Sequence, residues 1–431
     1  MAGSLIANTV FALYRGFGTL GAPLIERHMD KRLARGKEDA ERFGERFGRS
    51  SIARPEGTLI WIHGASVGES VSALPLIERL RKDRPDLKIL VTTGTVTSAK
   101  MMVQRLPEGV IHQFAPIDTP AAVRGFFDHW HPQLGLMIES EFWPNLLLEA
   151  RKRQIPLHLI NGRMSRKSFR GWKRSGPVFR SLLKSFASIQ AQSPEDQRHF
   201  QALGFADCTS PGNLKFAAPP LQADAEELAR LRAEIGDRPT WLIYSSHPGE
   251  EIIAAQAHQR VAWTYPDLLT MVVPRHPERG PIVAEELRAN EMTVTLRSKG
   301  KPLTPETQMY VADTLGELGL WFRLNPVAVM GGTLAPKGGQ NPIEAAHLGC
   351  ALICGPHCGN FQRIVEDMSA AGALKPIVDR PGTLAAAVVK LLREPAARAE
   401  MSSAAKAYAE DQGEVLERVM ALLDPALDQL K

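Results

Sequence analysis

Glu69 stands near the end of Trp61-Ile-His-Gly-Ala-Ser-Val-Gly-Glu-Ser70, where a strand-like run passes through a glycine-containing turn into a helical pattern. A carboxylate held at such a turn can take the proton of an attacking hydroxyl as a general base. Gly64 and Gly68 let backbone approach a ligand closely. Taken alone, Glu69 equally suits a helix-terminal acid that complements the helix dipole for about 0.3–1 kcal/mol. The catalytic reading needs a partner motif, and Ile138-Glu-Ser-Glu-Phe-Trp-Pro-Asn145 offers one. Glu139 and Glu141 are two apart at the end of a strand-like run, so in extended backbone both point the same way. Two carboxylates beside aromatic side chains are costly unless they bind a cation or share a proton. The alternative is a pair of solvated strand-end acids before Pro144 starts a helix. Gly212-Asn-Leu-Lys-Phe216 contributes one lysine, Lys215.

Other stretches point to anions. Residues 151–184 hold eleven Lys or Arg and no acid, with Phe169, Trp172 and Phe179 interleaved. A solvated basic face is one reading. The absence of acids favours an anionic partner, and the aromatics favour one with apolar parts, such as membrane phosphates or a phosphorylated lipid. Single-stranded nucleic acid fits less well, because no nucleic-acid module accompanies the patch. Further on, four loops follow strand-like runs: Ser245-Ser-His-Pro-Gly-Glu-Glu251, Val273-Pro-Arg-His-Pro-Glu-Arg279, Asp313-Thr-Leu-Gly-Glu-Leu318 and the glycine-rich segment from Met330 to Ala345. Helix N-termini after such loops present free N–H groups to anions, which suggests a nucleotide site. None of these four loops is a Walker loop or carries the G-x-G-x-x-G fingerprint. A D-x-D pair to hold a metal on a diphosphate is absent, which favours a metal-free nucleotide-sugar site.

These loops need a scaffold. Strand-like runs at 59–63, 89–93, 110–114, 134–139, 157–161 and 188–192 alternate with helical patterns, and a second set follows at 241–244, 269–273, 292–296, 309–312, 327–330 and 351–354. Continuously apolar runs suit parallel strands buried on both faces. With 431 residues, the chain reads as two Rossmann-like domains joined near residues 211–225, with ligands at the carboxyl ends of the strands and the active site in the cleft between domains. Pro75 implies a kink or a late start in the helix after Glu69. Residues 4–25 are largely apolar with Arg15 as the one charge, and Arg27, Lys31, Arg32 and Arg35 follow. That pattern fits a membrane span or an interfacial helix, with the remainder of the chain on the cytoplasmic side. Cys208, Cys350, Cys354 and Cys358 lack zinc-site spacing and read as reduced thiols.

In order along the chain, H-x-x-S-x-G-E, E-x-E-x-W-P-N, N-G-R-x-S-x-x-S, G-N-x-K-F, P-R-H-P-E-R and G-G-x-N-P-x-E-A resemble the 3-deoxy-D-manno-octulosonate (Kdo) transferases of lipid A assembly. The resemblance implies an α/β GT-B glycosyltransferase: a membrane-associating helix over 1–30, an acceptor-binding domain over 31–215 and a CMP-sugar-binding domain over 216–431, whose last helix can pack back on the first. It implies inverting transfer of Kdo from CMP-Kdo to a lipid A precursor, lipid IVA, in lipopolysaccharide biosynthesis. Location would be the cytoplasmic face of the inner membrane, with residues 151–184 against its phosphates, no nucleic-acid partner and no cofactor or metal. Glu69 matches the family's general base, and Glu139 and Lys215 match positions that stabilise the transition state. Pro274 and Arg275, Leu315, Gly316, Glu317 and Leu318, and Asn341, Pro342, Ile343 and Glu344 match the CMP-binding segments, with Arg275 toward phosphate and Glu344 toward ribose. The loop 245–250 departs from the family pattern at His247-Pro248. Another GT-B activity, a different nucleotide-sugar transferase or an epimerase, remains the alternative, and a non-catalytic peripheral membrane protein is a third.

Overall fold

The computed structural model describes residues 2–217, 220–359 and 361–430. The chain divides into two compact units, Met1–Ala218 with Glu414–Lys431, and Pro219–Gly413. In the first unit the apolar runs form β1 (Leu59–His63), β2 (Lys88–Thr93), β3 (Ile111–Phe114), β4 (Leu134–Ile138), β5 (Leu157–Gly162) and β6 (Phe186–Ala191). They pair in parallel in the order β3-β2-β1-β4-β5-β6, the doubly wound Rossmann order. Side-chain oxygens of Ser66, Thr95, Thr119, Ser165 and Ser193 accept backbone N–H groups and open the helices Val67–Asp83, Val96–Arg105, Pro120–Trp130, Arg166–Ser175 and Pro194–Ala202. Each satisfies a donor that a helix start leaves free, for about 0.5–2 kcal/mol.

The second unit contains β7 (Thr240–Ser246), β8 (Leu269–Pro274), β9 (Val294–Leu296), β10 (Met309–Val311), β11 (Val327–Met330), β12 (Ala351–Cys354) and β13 (Leu374–Pro376). Their order is β13-β12-β11-β7-β8-β10-β9, again all parallel. All twelve runs read from the sequence form strands. The added edge strand β13 has no apolar run to announce it, since Lys375 and Pro376 are exposed. In each sheet the chain reverses direction across one gap, between β1 and β4 and between β7 and β11, and ligand crevices form at the carboxyl ends of such gaps.

Two ends of the chain pack on the first unit. The helix Ala2–Leu20 buries Ala7 and Phe11 in its core, and the Tyr14 hydroxyl donates to Asp118 Oδ2 at 3.0 Å. The opposite face stays apolar and exposed, with Leu13 at 70%, Phe17 at 73% and Leu20 at 86% of full accessibility. Among the described residues no helix is long and apolar enough to cross a membrane. The final helix, Val415–Asp428, inserts Val415, Val419, Leu423 and Leu427 beside Ile77 and Leu80. Arg84 pairs with its Asp424 at 3.2 Å and Asp428 at 2.6 Å.

Gly212 shows how tightly this helix is seated. It has φ +121°, and a Cβ there would lie 2.4 Å from Val415 Cγ2. We expect Gly212→Ala to lower stability by about 2–3 kcal/mol in urea unfolding. Because the clash is with one side chain, Gly212→Ala combined with Val415→Ala should cost less than the sum of the two changes. Additive losses would mean the backbone conformation alone sets the requirement.

Candidate active site

In the first unit the site is built at the β1/β4 gap. The helix after β1 begins at Val67, earlier than Glu69, and runs through Pro75 to Asp83. It starts no later for that proline, which only leaves the Val71 carbonyl without its intrahelical donor. Glu69 is the third helical residue and forms a capping box: its Oε2 accepts the Ser66 N–H at 2.9 Å, and Ser66 Oγ accepts the Glu69 N–H at 3.3 Å. Only the first bond engages the carboxylate, and through one oxygen. Burial pushes the Glu69 carboxyl above the ordinary carboxylate range, Glu141 and Glu139 add to the effect, and the Ser66 N–H and His63 oppose it.

The paired-carboxylate expectation needs correction. Strand β4 ends at Ile138, and Glu139 adopts the left-handed conformation with φ +65°. The chain therefore turns, and Glu139 and Glu141 take separate partners instead of sharing a direction. Glu139 Oε1 lies 2.6 Å from the Lys215 ammonium. Glu141 Oε2 accepts from Trp143 Nε1 and faces His63 Nε2 at 3.3 Å. His63 Nδ1 meets Thr92 Oγ1 at 2.9 Å, and that oxygen also accepts the Trp61 indole N–H at 2.8 Å. Burial alone raises the Glu141 carboxyl, but the His63 and Trp143 contacts outweigh it and the net shift is downward. The outcome is one ionised carboxylate, Glu141, near a second, Glu69, that holds its proton more strongly.

Lys215 is placed by asparagines. Asn161, left-handed with φ +56°, accepts the Leu214 N–H through Oδ1 at 3.1 Å, and Asn213 Oδ1 accepts the Lys215 N–H at 3.1 Å. Leu214 is buried in the first unit's core, so G-N-L-K-F belongs to that unit's body and not to a linker. Sequence reasoning did not assign roles to His63, Thr92, Asn161 or Asp118. Asp118 accepts the Asn145 and Leu146 amides at 3.1 and 2.9 Å and so fixes the helix that follows Trp143. His63 was detectable, since it lies in the same motif as Glu69; the others lie far from it in sequence.

The second unit's loops gather at the carboxyl ends of β7, β8 and β11. The four-cradle reading also needs correction. Glu250 is fully buried, and its carboxylate accepts the amides of His247 at 2.8 Å, Gly332 at 2.7 Å, Leu334 at 2.8 Å and Ala335 at 3.1 Å. The first part of the glycine-rich loop is thus closed around an internal anion, and those N–H groups are not offered to a ligand. Gly331 is obligatory there, because a Cβ would lie 2.3 Å from the Tyr244 carbonyl oxygen. The rest of the loop is held by a separate set of contacts. Tyr244 donates to the Asn341 carbonyl at 3.3 Å, Asn341 Oδ1 accepts the Ile343 N–H at 3.1 Å, and Asn341 Nδ2 donates to Glu344 Oε1 at 3.3 Å. The helix here is Ile343–His347, with Pro342 as its N-cap. Burial raises the Glu344 carboxyl, with Asn341 and Arg275 opposing.

Pro274 ends β8 and is buried, whereas Arg275 is exposed and its N–H donates to the Ser246 carbonyl at 2.9 Å. Glu317 caps the helix Leu318–Leu324; its carboxylate is held by Arg297 at 2.7 and 3.1 Å and by the Thr314 hydroxyl. Burial pushes Glu317 up, but these contacts outweigh it and lower it overall. Glu317 therefore shapes the loop, while Gly316, at φ +83°, and Leu315, 83% exposed, form its tip. All four cysteines are buried free thiols, and among the described residues no three His, Cys, Asp or Glu side chains gather in a way that could hold a metal ion.

Two parallel-sheet Rossmann-like units with sites at their sheet reversals are of the GT-B class. A putative UDP-N-acetylglucosamine 2-epimerase from Listeria monocytogenes shares this fold with a TM-score of 0.58, over 87% of this chain and 98% of its own, at 14% identity. The sequence profile of 3-deoxy-D-manno-octulosonic-acid transferase (kdotransferase) matches residues 41–218. A probable mitochondrial 3-deoxy-D-manno-octulosonic acid transferase of Arabidopsis thaliana is 39% identical over 85% of this chain and 84% of its own. A 3-deoxy-D-manno-octulosonic acid transferase of Rickettsia bellii is 34% identical over 92% of this chain and 93% of its own. The chain belongs to the Kdo transferase family and is a glycosyltransferase.

The Glu250 arrangement is testable. Glu250→Gln leaves one oxygen for four amides and points an NH2 group at the others. Charge-assisted bonds of this kind are worth about 1.5–3 kcal/mol each, so the variant should lose about 3 kcal/mol or more in urea unfolding. A loss below 1 kcal/mol, on the order of a surface change, would remove Glu250 as the organiser of this loop.

Proposed function

We propose that this enzyme moves Kdo from CMP-Kdo to a hydroxyl of a lipid A precursor, lipid IVA, in lipopolysaccharide biosynthesis, with inversion at the anomeric carbon. Glu69 takes the proton of the acceptor hydroxyl as its oxygen attacks that carbon. The bond from the anomeric carbon to the CMP phosphate breaks, and CMP departs with the electron pair. Lys215, partnered by Glu139, supplies positive charge to the transition state. Arg275 meets the donor phosphate and Glu344 accepts from the ribose, with Pro274, Leu315–Leu318 and Asn341–Ile343 forming the rest of the CMP site. No cofactor or metal takes part, CMP-Kdo being a substrate.

The observation that carries this reading is Glu69 itself. It is fixed by the capping box through one oxygen and made more basic by burial among Glu139 and Glu141. A carboxylate acting as general base gains proton affinity from a pKa raised above the ordinary glutamate value, and burial moves Glu69 in that direction. The exposed apolar face of the first helix, together with the exposed basic side chains between 151 and 184, supports residence on the cytoplasmic face of the inner membrane.

Purified full-length protein with CMP-Kdo and lipid IVA should give a product heavier by Kdo in mass spectrometry. Glu69→Ala should lower kcat at least about 100-fold; a near-normal rate would remove Glu69 from the mechanism. Stabilisation against heat by UDP but not CMP would favour a different GT-B activity.

The pH profile gives a second check. Glu69 works only when deprotonated, and its pKa is raised, so kcat should fall with acidification at a pH above the ordinary glutamate value of ~4.3. Glu141, shifted the other way, stays ionised through that limb. An acid limb at or below the ordinary value would contradict the assignment.

A further inference from the structure

Beside Glu141 the first unit holds a cavity of about 230 Å³ that the catalytic reading above does not use. Its wall brings together the E-x-E-x-W-P-N and N-G-R-x-S-x-x-S segments, through Glu141, Trp143, Arg163, Ser168 and Trp172. That volume is below the roughly 300 Å³ at which drug-sized pockets begin, so it suits one sugar-sized group and not a whole lipid.

The wall offers three kinds of contact. Trp172 is stacked on Phe179 at 4.3 Å between ring centroids, and Trp143 is tied to Glu141 through its indole N–H, so both rings are held as flat apolar surfaces. Glu141 uses Oε2 for both of its protein contacts, which leaves Oε1 to accept from a ligand hydroxyl. Arg163 and Ser168 supply the complementary chemistry. The Arg163 backbone is clamped on both sides by the acidic loop: its N–H donates to the Glu139 carbonyl at 3.2 Å, and its carbonyl accepts from Ser140 Oγ at 2.7 Å. Its side chain is exposed and has no carboxylate partner among the described residues. Ser168 Oγ accepts from Ser165 Oγ at 2.9 Å, which leaves its own proton to donate. A flat ring with hydroxyls on one side and a phosphate on the other would satisfy all three.

We infer that this cavity binds a phosphorylated sugar ring, the phosphate on Arg163 and Ser168 and a ring hydroxyl on Glu141, and that it orients the acceptor for attack. The inference rests on the proposed reaction for its substrate, but not for its binding chemistry. Arg163 is thereby distinguished from the outward basic side chains such as Arg166, which pairs with Glu195 at 2.8 Å. Arg163 selects a particular phosphate, while the outward set answers to a charged surface in general.

The test uses the full-length chain and the phosphorylated disaccharide lipid, beside the same lipid after phosphatase treatment. Binding is measured by calorimetry without donor, so the result stands even if no transfer is seen. The intact protein should bind the phosphorylated form at least about 10-fold more tightly, as a charge-assisted phosphate contact implies. Arg163→Ala should abolish that preference, and Arg163→Lys should restore part of it. Neither variant should change the KM for CMP-Kdo or binding to phosphatidylglycerol vesicles by more than about 2-fold, since other basic side chains carry those contacts. The inference is overturned if Arg163→Ala keeps the preference, or if it weakens vesicle binding as much as it weakens the phosphorylated acceptor. Absence of Kdo transfer by the intact protein, with the binding preference intact, would instead count against the reaction and leave the subsite standing.

Discussion

Buried carboxylates govern both units. Taking an ionised carboxylate out of water costs several kcal/mol unless specific donors replace the lost hydration. At the β1/β4 gap this requirement assigns Lys215 to Glu139, His63 and Trp143 to Glu141, and the Ser66 amide to Glu69. At the β7/β11 gap it assigns four amides to Glu250 and the Arg279 guanidinium to Glu251 at 2.8 Å. The geometry of each site follows from meeting these demands. Lys215 can reach Glu139 only because Asn161 and Asn213 seat the turn that carries it. Glu139 can face it only because the chain leaves β4 through a left-handed residue. A glutamate in that conformation costs about 1–2 kcal/mol, and the ion pair and the fixed loop offset it.

The two gaps use the same constraint differently. In the first unit the acids are partnered incompletely: Glu69 and Glu141 each engage one oxygen, and their mutual repulsion contributes to the raised pKa of Glu69. A carboxyl whose pKa is raised in this way suits the general-base role proposed for Glu69. In the second unit Glu250 is satisfied by four donors and is structural. It ties the start of the glycine-rich loop to the turn after β7.

The sheets were legible because parallel strands covered on both faces are largely apolar, and several of the twelve strands read, such as β4 and β11, are continuous apolar runs. β13 was not, because an edge strand of three residues with exposed Lys375 and Pro376 has no such demand. Glu69 was legible as a candidate from its motif, and Ser66-x-x-Glu69 carries the capping-box spacing that also explains its local geometry. The separate fates of Glu139 and Glu141 were hidden, since E-S-E has the spacing of an extended strand and nothing local signals a left-handed residue. Glu250 was hidden for another reason. Three of its four partners lie more than 80 residues away in sequence, and no periodicity carries such a pairing.

The first helix links surface and site through one buried acid. Ala7, Phe11 and Tyr14 recur at three- and four-residue spacing and face the protein, whereas Leu13, Phe17 and Leu20 face away. Asp118 accepts from Tyr14 on one side and from the Asn145 and Leu146 amides on the other. Those amides begin the helix that Trp143 caps, and Trp143 in turn donates to Glu141. Burial raises the Asp118 carboxyl, and the Asn145 and Leu146 amides and the Tyr14 hydroxyl oppose that rise. Any force that holds the exposed apolar face in place, a bilayer in the proposed reading, also holds the Tyr14 hydroxyl against Asp118. The position of Trp143, and with it the wall of the cavity beside Glu141, is then tied to the same docking contact.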